Sequence, residues 1–291
     1  MFARAFATMA TALLGSVAAL LPAPHARAGG MTGGPWIIAH RGASAYAPEN
    51  TLASVDTAAR LGFAWVENDV QRTRDGRLVV IHDDSLARTT NVEEVFPGRA
   101  PWKVKDFTAA EIARLDAGSW FSPAYAGARV PTLEQYMRRV GRNHQKLLLE
   151  IKNPELYPGI EQQTLKLLSN EGWLDRPHLH GRLIVQSFSA ESLRTVHALK
   201  PAVTTGLLGS PPVPELARYA AFADLVNPSQ ASVSPAYVSA VHALTGPHGR
   251  RLALCSWTVD DAVTARKAAR DGVDGVISNR PDVVRTALRA D

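Results

Sequence analysis

The chain has 291 residues, of which 46% are hydrophobic and 20% charged, with a formal net charge of +5 and one cysteine. That length holds one large domain or two modest ones, and a single thiol excludes both an intramolecular disulfide framework and a cysteine-based metal finger. Basic residues are scattered, with no Lys/Arg-rich run and no interleaved aromatics, so the positive charge does not read as a nucleic-acid footprint.

Residues 1–28 run from an early cation, Arg4, through an apolar stretch at 10–21 to a small-residue stop at Ala26-Arg27-Ala28. This order predicts a secretory signal peptide cleaved after Ala28 and a periplasmic or secreted mature protein. The stretch is shorter than the roughly 20 residues of a bilayer span, and Pro22 and Pro24 follow it, so no stable membrane anchor is expected. Without residues 1–28 the chain keeps 263 residues (291 less 28) and, losing Arg4 and Arg27, a net charge of +3. These residues, 29–291, read as a single domain.

Residues 36–40 read as the first strand and 50–61 as the helix behind it, with Thr51 as cap. Strand patterns follow at 65–71 and 78–82, joined by the hairpin signal Asp75-Gly76. Further strands are predicted at 146–151, 183–186, 203–208, 224–227, 251–256 and 273–277, with helical patterns such as 132–140, 190–199 and 260–270 between them. Apolar strands alternating with helices predict a parallel sheet covered on its faces. About eight such units in about 250 residues favour an α/β fold of the (β/α)₈ TIM-barrel type over an open sheet. Residues 84–129 interrupt the alternation and read as an insertion at the strand ends, with the capping box Thr108-Ala109-Ala110-Glu111 inside it; it either covers the site or is a structural cap. Cys255, in an apolar run, reads as a buried inert thiol.

Several strands end in groups suited to chemistry. His40-Arg41-Gly42 closes the first, offering a proton-transfer group, a planar fork for phosphate and a residue that permits close backbone approach. Glu67 and Asp69 lie two apart on the second, so both point to one face, and two buried like charges call for a hard divalent cation. His82 ends the next apolar run, and two imidazoles near one metal can act as acid and base. Glu150 and Lys152 share a face at the end of strand 146–151, either as a third metal carboxylate and a phosphate-binding cation or as a barrel-closing salt bridge. Trp257 is either an apolar wall for substrate or a core residue. His178 and His180 read as a solvated loop pair rather than metal ligands.

His40-Arg41-Gly42-Ala43, Pro48-Glu49-Asn50-Thr51, Glu67-Asn68-Asp69-Val70, Asp75-Gly76, Val79-Val80-Ile81-His82-Asp83 and Glu150-Ile151-Lys152 resemble, in order and spacing, the signature series of the glycerophosphodiester phosphodiesterase family. Gln186-Ser187-Phe188, Trp257-Thr258-Val259 and residues 272–277 extend the resemblance over most of the chain. It implies a TIM-barrel hydrolase releasing glycerol 3-phosphate and an alcohol from a small glycerophosphodiester, with Ca²⁺ or Mg²⁺ as cofactor. Glu67, Asp69 and Glu150 would be metal ligands, His40 and His82 the acid/base pair, and Arg41 and Lys152 the phosphate holders, with Glu49 supporting the site around His40.

Two positions depart from the pattern. Asn68 stands where an apolar residue is expected and should point to the helical layer, where it needs a buried partner. Ser278-Asn279-Arg280-Pro281 stands where the family usually shows Thr-Asp before the proline, a change expected to touch a local hydrogen bond and not the chemistry. Two other functions are compatible with the same residues. One is phospholipase D-like cleavage of lysophospholipids or sphingomyelin, for which the insertion aromatics Phe96, Trp102, Phe107, Trp120 and Phe121 offer lipid contact. The other is a non-catalytic phosphodiester-binding module, disfavoured because binding alone does not require two proton-transfer groups.

Overall fold

Eight parallel strands close into a ring in the computed structural model, which describes Met1 and residues 34–289. The expected leader therefore lies, Met1 apart, outside the described residues. The strands are β1 (Trp36–Ala39), β2 (Trp65–Arg72), β3 (Leu78–Val80), β4 (Lys146–Ile151), β5 (Leu183–Ser187), β6 (Thr204–Leu208), β7 (Leu225–Asn227), β8 (Ala253–Ser256) and β9 (Gly275–Ser278). All but β3 belong to the ring, and β1 closes it by pairing with both β2 and β9. The run expected at 78–82 is shorter than its pattern. Its strand β3 folds back antiparallel on β2 across the Asp75-Gly76 turn, leaving His82 just beyond the strand.

Side chains alternate across each strand with a period of two, and the ring uses both faces. Ile38, Leu148, Ile184, Leu225, Cys255 and Ile277 form one buried cluster with one residue from each of six strands. Trp36 stacks on Trp65 at 6.4 Å within it. The outward residues of β1, β2, β4 and β5, such as Ala39, Val66, Val70, Leu147, Leu149 and Val185, pack instead against helices. Each fully buried Leu, Ile or Val contributes about 1.5–3 kcal/mol, so these layers are the main source of stability.

The helices follow their local signals. Thr51 caps Leu52–Arg60 by accepting from Ser54 N–H, and Thr132 and Gln135 form a reciprocal capping box on Leu133–Arg142. Thr108 and Glu111 do the same in the insertion. That segment has its own core of Leu86, Val92, Val104, Phe107, Ile112 and Leu115, built on Val79 and Ile81, with Phe96 and Trp102 packed against it. Phe107 is fully buried, whereas Trp120 is exposed. Three of the five aromatics that suggested lipid contact thus serve the insertion itself. Asn68 is completely buried as expected, but both its side-chain polar atoms lack a hydrogen-bond partner.

Candidate active site

The strand register explains the acidic cluster. Glu67 and Asp69 share the inward face of β2, and Asp69 sits directly beside Glu150 of β4. Ligand oxygens of the three lie within 4.8 Å of one another, all three residues being buried. Glu67 Oε1, Asp69 Oδ1 and Glu150 Oε1 have no hydrogen-bond partner. Lys152 Nζ stands 2.9 Å from Glu150 Oε1 as an ion pair, without hydrogen-bond alignment. Three convergent buried carboxylates, with Glu67 Oε1 and Asp69 Oδ1 lacking hydrogen-bond partners and Glu150 Oε1 paired only with Lys152, are the donor set that a hard divalent cation takes.

Electrostatics separates the three acids. Burial, followed by the negative charges of Asp69 and Glu150, holds Glu67 well above the usual carboxylate range. Burial and Asp69 raise Glu150 to about 8 against the pull of Lys152. Asp69 goes the other way. Burial alone would raise it, but Arg41, His82 and Lys152, with the Asn50 amide, hold it below its ordinary value.

The turn after β1 delivers the next groups. Adjacent residues on a strand face opposite sides, yet His40 and Arg41 both line the cavity because Arg41 leaves the strand in the left-handed region, φ +54°, followed by Gly42 at +80°. The turn is tied down through its carbonyl: Arg41 O accepts from Asn50 N–H at 3.0 Å and Ser54 Oγ–H at 2.8 Å. Arg41 N–H donates to Glu67 Oε2 at 2.9 Å. The Arg41 guanidinium donates to Glu49 at 2.8 Å and lies 3.4 Å from Asp69. Glu49, expected to support the site around His40, makes its contact there through Arg41.

His40 and His82 each use Nδ1 for a structural bond and aim Nε2 inward. His40 Nδ1 is 2.7 Å from Asn279 Oδ1, and its Nε2 is 3.9 Å from Glu67. Burial and the neighbouring Arg41 push His40 down to about 4. His82 Nδ1 is 2.7 Å from Asp83, and its Nε2 is 3.2 Å from Lys152 Nζ. An ammonium only donates, so His82 Nε2 is the acceptor there. Gln71 fixes this segment by donating to the carbonyls of Ile81, His82 and Asp83.

Five participants escaped the sequence reading. Asp83 and Asn50 stood in quoted motifs without a role; Asn50 donates to Asp69 Oδ2 at 2.8 Å. Arg88, from the insertion, bridges Glu49 and Asp83 with four contacts of 2.6–3.1 Å. Burial alone would raise the Asp83 carboxyl, but hydrogen bonds from Arg88 and His82 favour its charged form and hold it at about 2. Asn279 and Asp260 complete the set, and the Ser278-Asn279 departure does touch a hydrogen bond at the last strand, as expected. The altered residue is His40's own hydrogen-bond partner, brought from 239 positions away by β9 lying beside β1.

The cavity bounded by His40, Arg41, Glu67, His82, Glu150 and Lys152 has a volume of about 100 Å³, and Phe188 and Trp257 also line it. These two rings meet edge to face at 5.6 Å, and Trp257 Nε1–H donates to Asn227 O at 2.7 Å. Trp257 both lines the cavity and packs against the inner barrel cluster. Elsewhere, His178 and His180 bond Asp175 and Arg176 and form no metal cluster among the described residues. Cys255 is fully buried and its thiol is pushed up by burial, as expected of an inert group.

The model of the glycerophosphoryl diester phosphodiesterase family matches residues 40–283. The chain is 36% identical to a glycerophosphodiester phosphodiesterase of Bacillus subtilis, with 84% of each chain covered. Another, from Caldanaerobacter subterraneus subsp. tengcongensis, is also 36% identical, with 87% of this chain and 97% of the relative covered. Among solved structures, an Oleispira antarctica phosphodiesterase in complex with the product sn-glycerol-3-phosphate superposes with a TM-score of 0.75 at 30% identity, covering 88% of this chain and 97% of that one.

Proposed function

Because the chain belongs to the glycerophosphoryl diester phosphodiesterase family, whose reaction is the hydrolysis of glycerophosphodiesters, we propose that it performs this reaction with a divalent cation and two histidines. The observation that carries the reading is the buried trio Glu67, Asp69 and Glu150, with its unpartnered oxygens set beside two inward imidazole nitrogens. Glu67, Asp69 and Glu150 would hold the cation, Ca²⁺ or Mg²⁺, which when bound supplies charge stabilisation at the phosphoryl oxygens.

The remaining steps belong to the protein's own groups. Arg41 and Lys152 hold the phosphate by charge and hydrogen bonds. One histidine Nε2 takes the proton of the attacking oxygen, from water or from the glycerol hydroxyl. The other takes up a proton at Nε2 as Lys152 turns to the phosphate and gives it to the alcohol oxygen as its P–O bond breaks, and exchange with water returns both rings to their starting protonation. Phe188 and Trp257 present apolar faces to the glycerol carbons. The small cavity and the inward packing of Phe96, Trp102 and Phe107 support a water-soluble glycerophosphodiester over a lipid substrate.

Glycerophosphocholine or glycerophosphoethanolamine, incubated with the protein with and without EDTA, tests the reading. Glycerol 3-phosphate should appear only with Ca²⁺ or Mg²⁺ present, and no product with either metal would refute the assignment. His40→Ala and His82→Ala should fold and lose turnover. We also read residues 1–28 as an export leader, a proposal that amino-terminal sequencing of the protein from periplasm and medium tests: a first residue other than Gly29 would move or remove the cleavage site.

A further inference from the structure

His40 Nδ1 faces the side-chain oxygen of Asn279 at 2.7 Å, and Ser44 Oγ–H donates to that same oxygen at 2.7 Å. On the far side, Asn279 Nδ2 donates to Asp260 Oδ2 at 2.7 Å. Asp260 Oδ1 accepts from the Asn279 backbone N–H at 2.7 Å and from Ser278 Oγ–H at 3.1 Å. An asparagine amide can usually be turned over without contradiction. Here it cannot, because a carboxylate offers only acceptors, and a flipped amide would set oxygen against oxygen. Asp260 therefore fixes the amide, the amide presents oxygen to His40, and Nδ1 must carry the ring proton. The lone pair is left on Nε2, which faces the cavity.

Resting on the proposed role of His40, we propose that Asn279, oriented by Asp260, is a positioning residue that keeps His40 as the Nδ1–H tautomer with an unprotonated Nε2 toward the substrate. The partner is a neutral amide, so it sets ring direction and tautomer without adding charge. His82 differs, since its Nδ1 partner is the Asp83 carboxylate. The two imidazoles thus enter the reaction from unlike surroundings.

The relay makes a specific prediction for Asp260→Asn. The Asn279 backbone N–H still demands an oxygen, so the new amide must turn its NH₂ toward the Asn279 side chain. That side chain then flips, offers Nδ2 to His40, and forces the Nε2–H tautomer. Asn279→Asp fails for another reason, because it sets two carboxylates face to face. The double exchange D260N/N279D restores a consistent chain: the new amide at position 260 donates to the new carboxylate at position 279, and that carboxylate accepts from His40 Nδ1–H.

The test reads the His40 ring by two-bond ¹H–¹⁵N correlation at about pH 8, above the usual histidine range, with the resonances assigned by their loss in His40→Gln. Turnover of glycerophosphocholine and circular-dichroism melts accompany it. Wild type and the double exchange should show protonated Nδ1, and Asp260→Asn protonated Nε2. Each single variant should lose about 10–100-fold in kcat with little change in KM, as supporting partners of a reacting histidine typically do. The double exchange should recover most of that loss. A wild-type His40 protonated on Nε2 would overturn the proposal, and that measurement needs no variant to fold. So would an unchanged tautomer and kcat in Asp260→Asn. Full turnover in His40→Gln would instead defeat the proton-transfer role of His40, with the tautomer result still read separately.

Discussion

Removing divalent cations should make the stability of this protein fall as pH rises through neutrality, the reverse of ordinary acid denaturation. Glu150 carries the effect. Its ordinary value is 4.5, and in the folded chain burial and Asp69 raise it to about 8. The folded state therefore keeps a proton that the unfolded chain has already lost, so the stabilisation is complete below the unfolded value and declines as pH climbs toward the folded one. His40 acts oppositely. It is lowered from 6.5 to about 4, so it makes stability rise with pH over that interval, and only a small remainder of its effect persists above it. Asp83, held at about 2, titrates below that interval. At 1.36 kcal/mol per unit, tapering as Glu150 ionises and opposed by the last of the His40 titration, unfolding free energy should drop by about 1 kcal/mol between about pH 6.5 and about pH 8. Glu67, raised for the same reasons, adds in the same direction. Urea unfolding in EDTA at the two pH values measures this, with Glu150→Gln as the control that flattens the slope. Added Ca²⁺ or Mg²⁺ should stabilise more at the higher pH, where protons compete less for the carboxylates. A free energy that stays level or rises with pH in EDTA would refute the reasoning.

Three substitutions probe the supports of the site. Gly42→Ala should cost at least about 2 kcal/mol in urea unfolding and most of the activity, because a left-handed backbone disfavours a side chain and a Cβ there would lie 2.6 Å from the Ser54 carbonyl carbon; wild-type stability would show that the turn yields freely. Arg88→Ala should reduce kcat about 10-fold while changing stability by less than about 1 kcal/mol, since its pairs are half exposed but orient Glu49 and Asp83; a large stability loss with unchanged kcat would make Arg88 a fastener of the insertion only. Tyr136→Phe should cost about 1 kcal/mol in urea unfolding, because the buried hydroxyl donates to Glu67 O at 3.0 Å; no loss would mean that the Glu67 carbonyl needs no such partner.

The barrel and the acidic trio were legible because both follow strand periodicity. Residues two apart on β2 share a face, and the parallel register of β2 with β4 does the rest by placing Asp69 beside Glu150. The apolar runs and Thr caps marked the strands and helices for the same local reasons. Periodicity also set a false expectation for Asn68: it correctly turned the side chain to the buried outer layer, but a partner there is a matter of neighbouring helices and none is present among the described residues.

Where the chain leaves a strand, that rule no longer applies. Arg41, Asn50 and Asn153 adopt φ of +54°, +60° and +42°, and a left-handed residue redirects the chain and breaks the alternation of side chains. That is why adjacent His40 and Arg41 reach one cavity. The Nδ1 partners of the two histidines come from such non-periodic segments, Asp83 just beyond β3 and Asn279 just beyond β9, and Asp260, which holds Asn279, comes from the loop after β8. The sequence exposed Asn279 as a departure but assigned it to local structure, since nothing in a linear pattern records that β9 lies beside β1. The consequence reaches past this one residue. In a closed barrel the last strand neighbours the first, so a substitution near the carboxyl end acts directly on the His40 loop at the amino end, and the two must be read together.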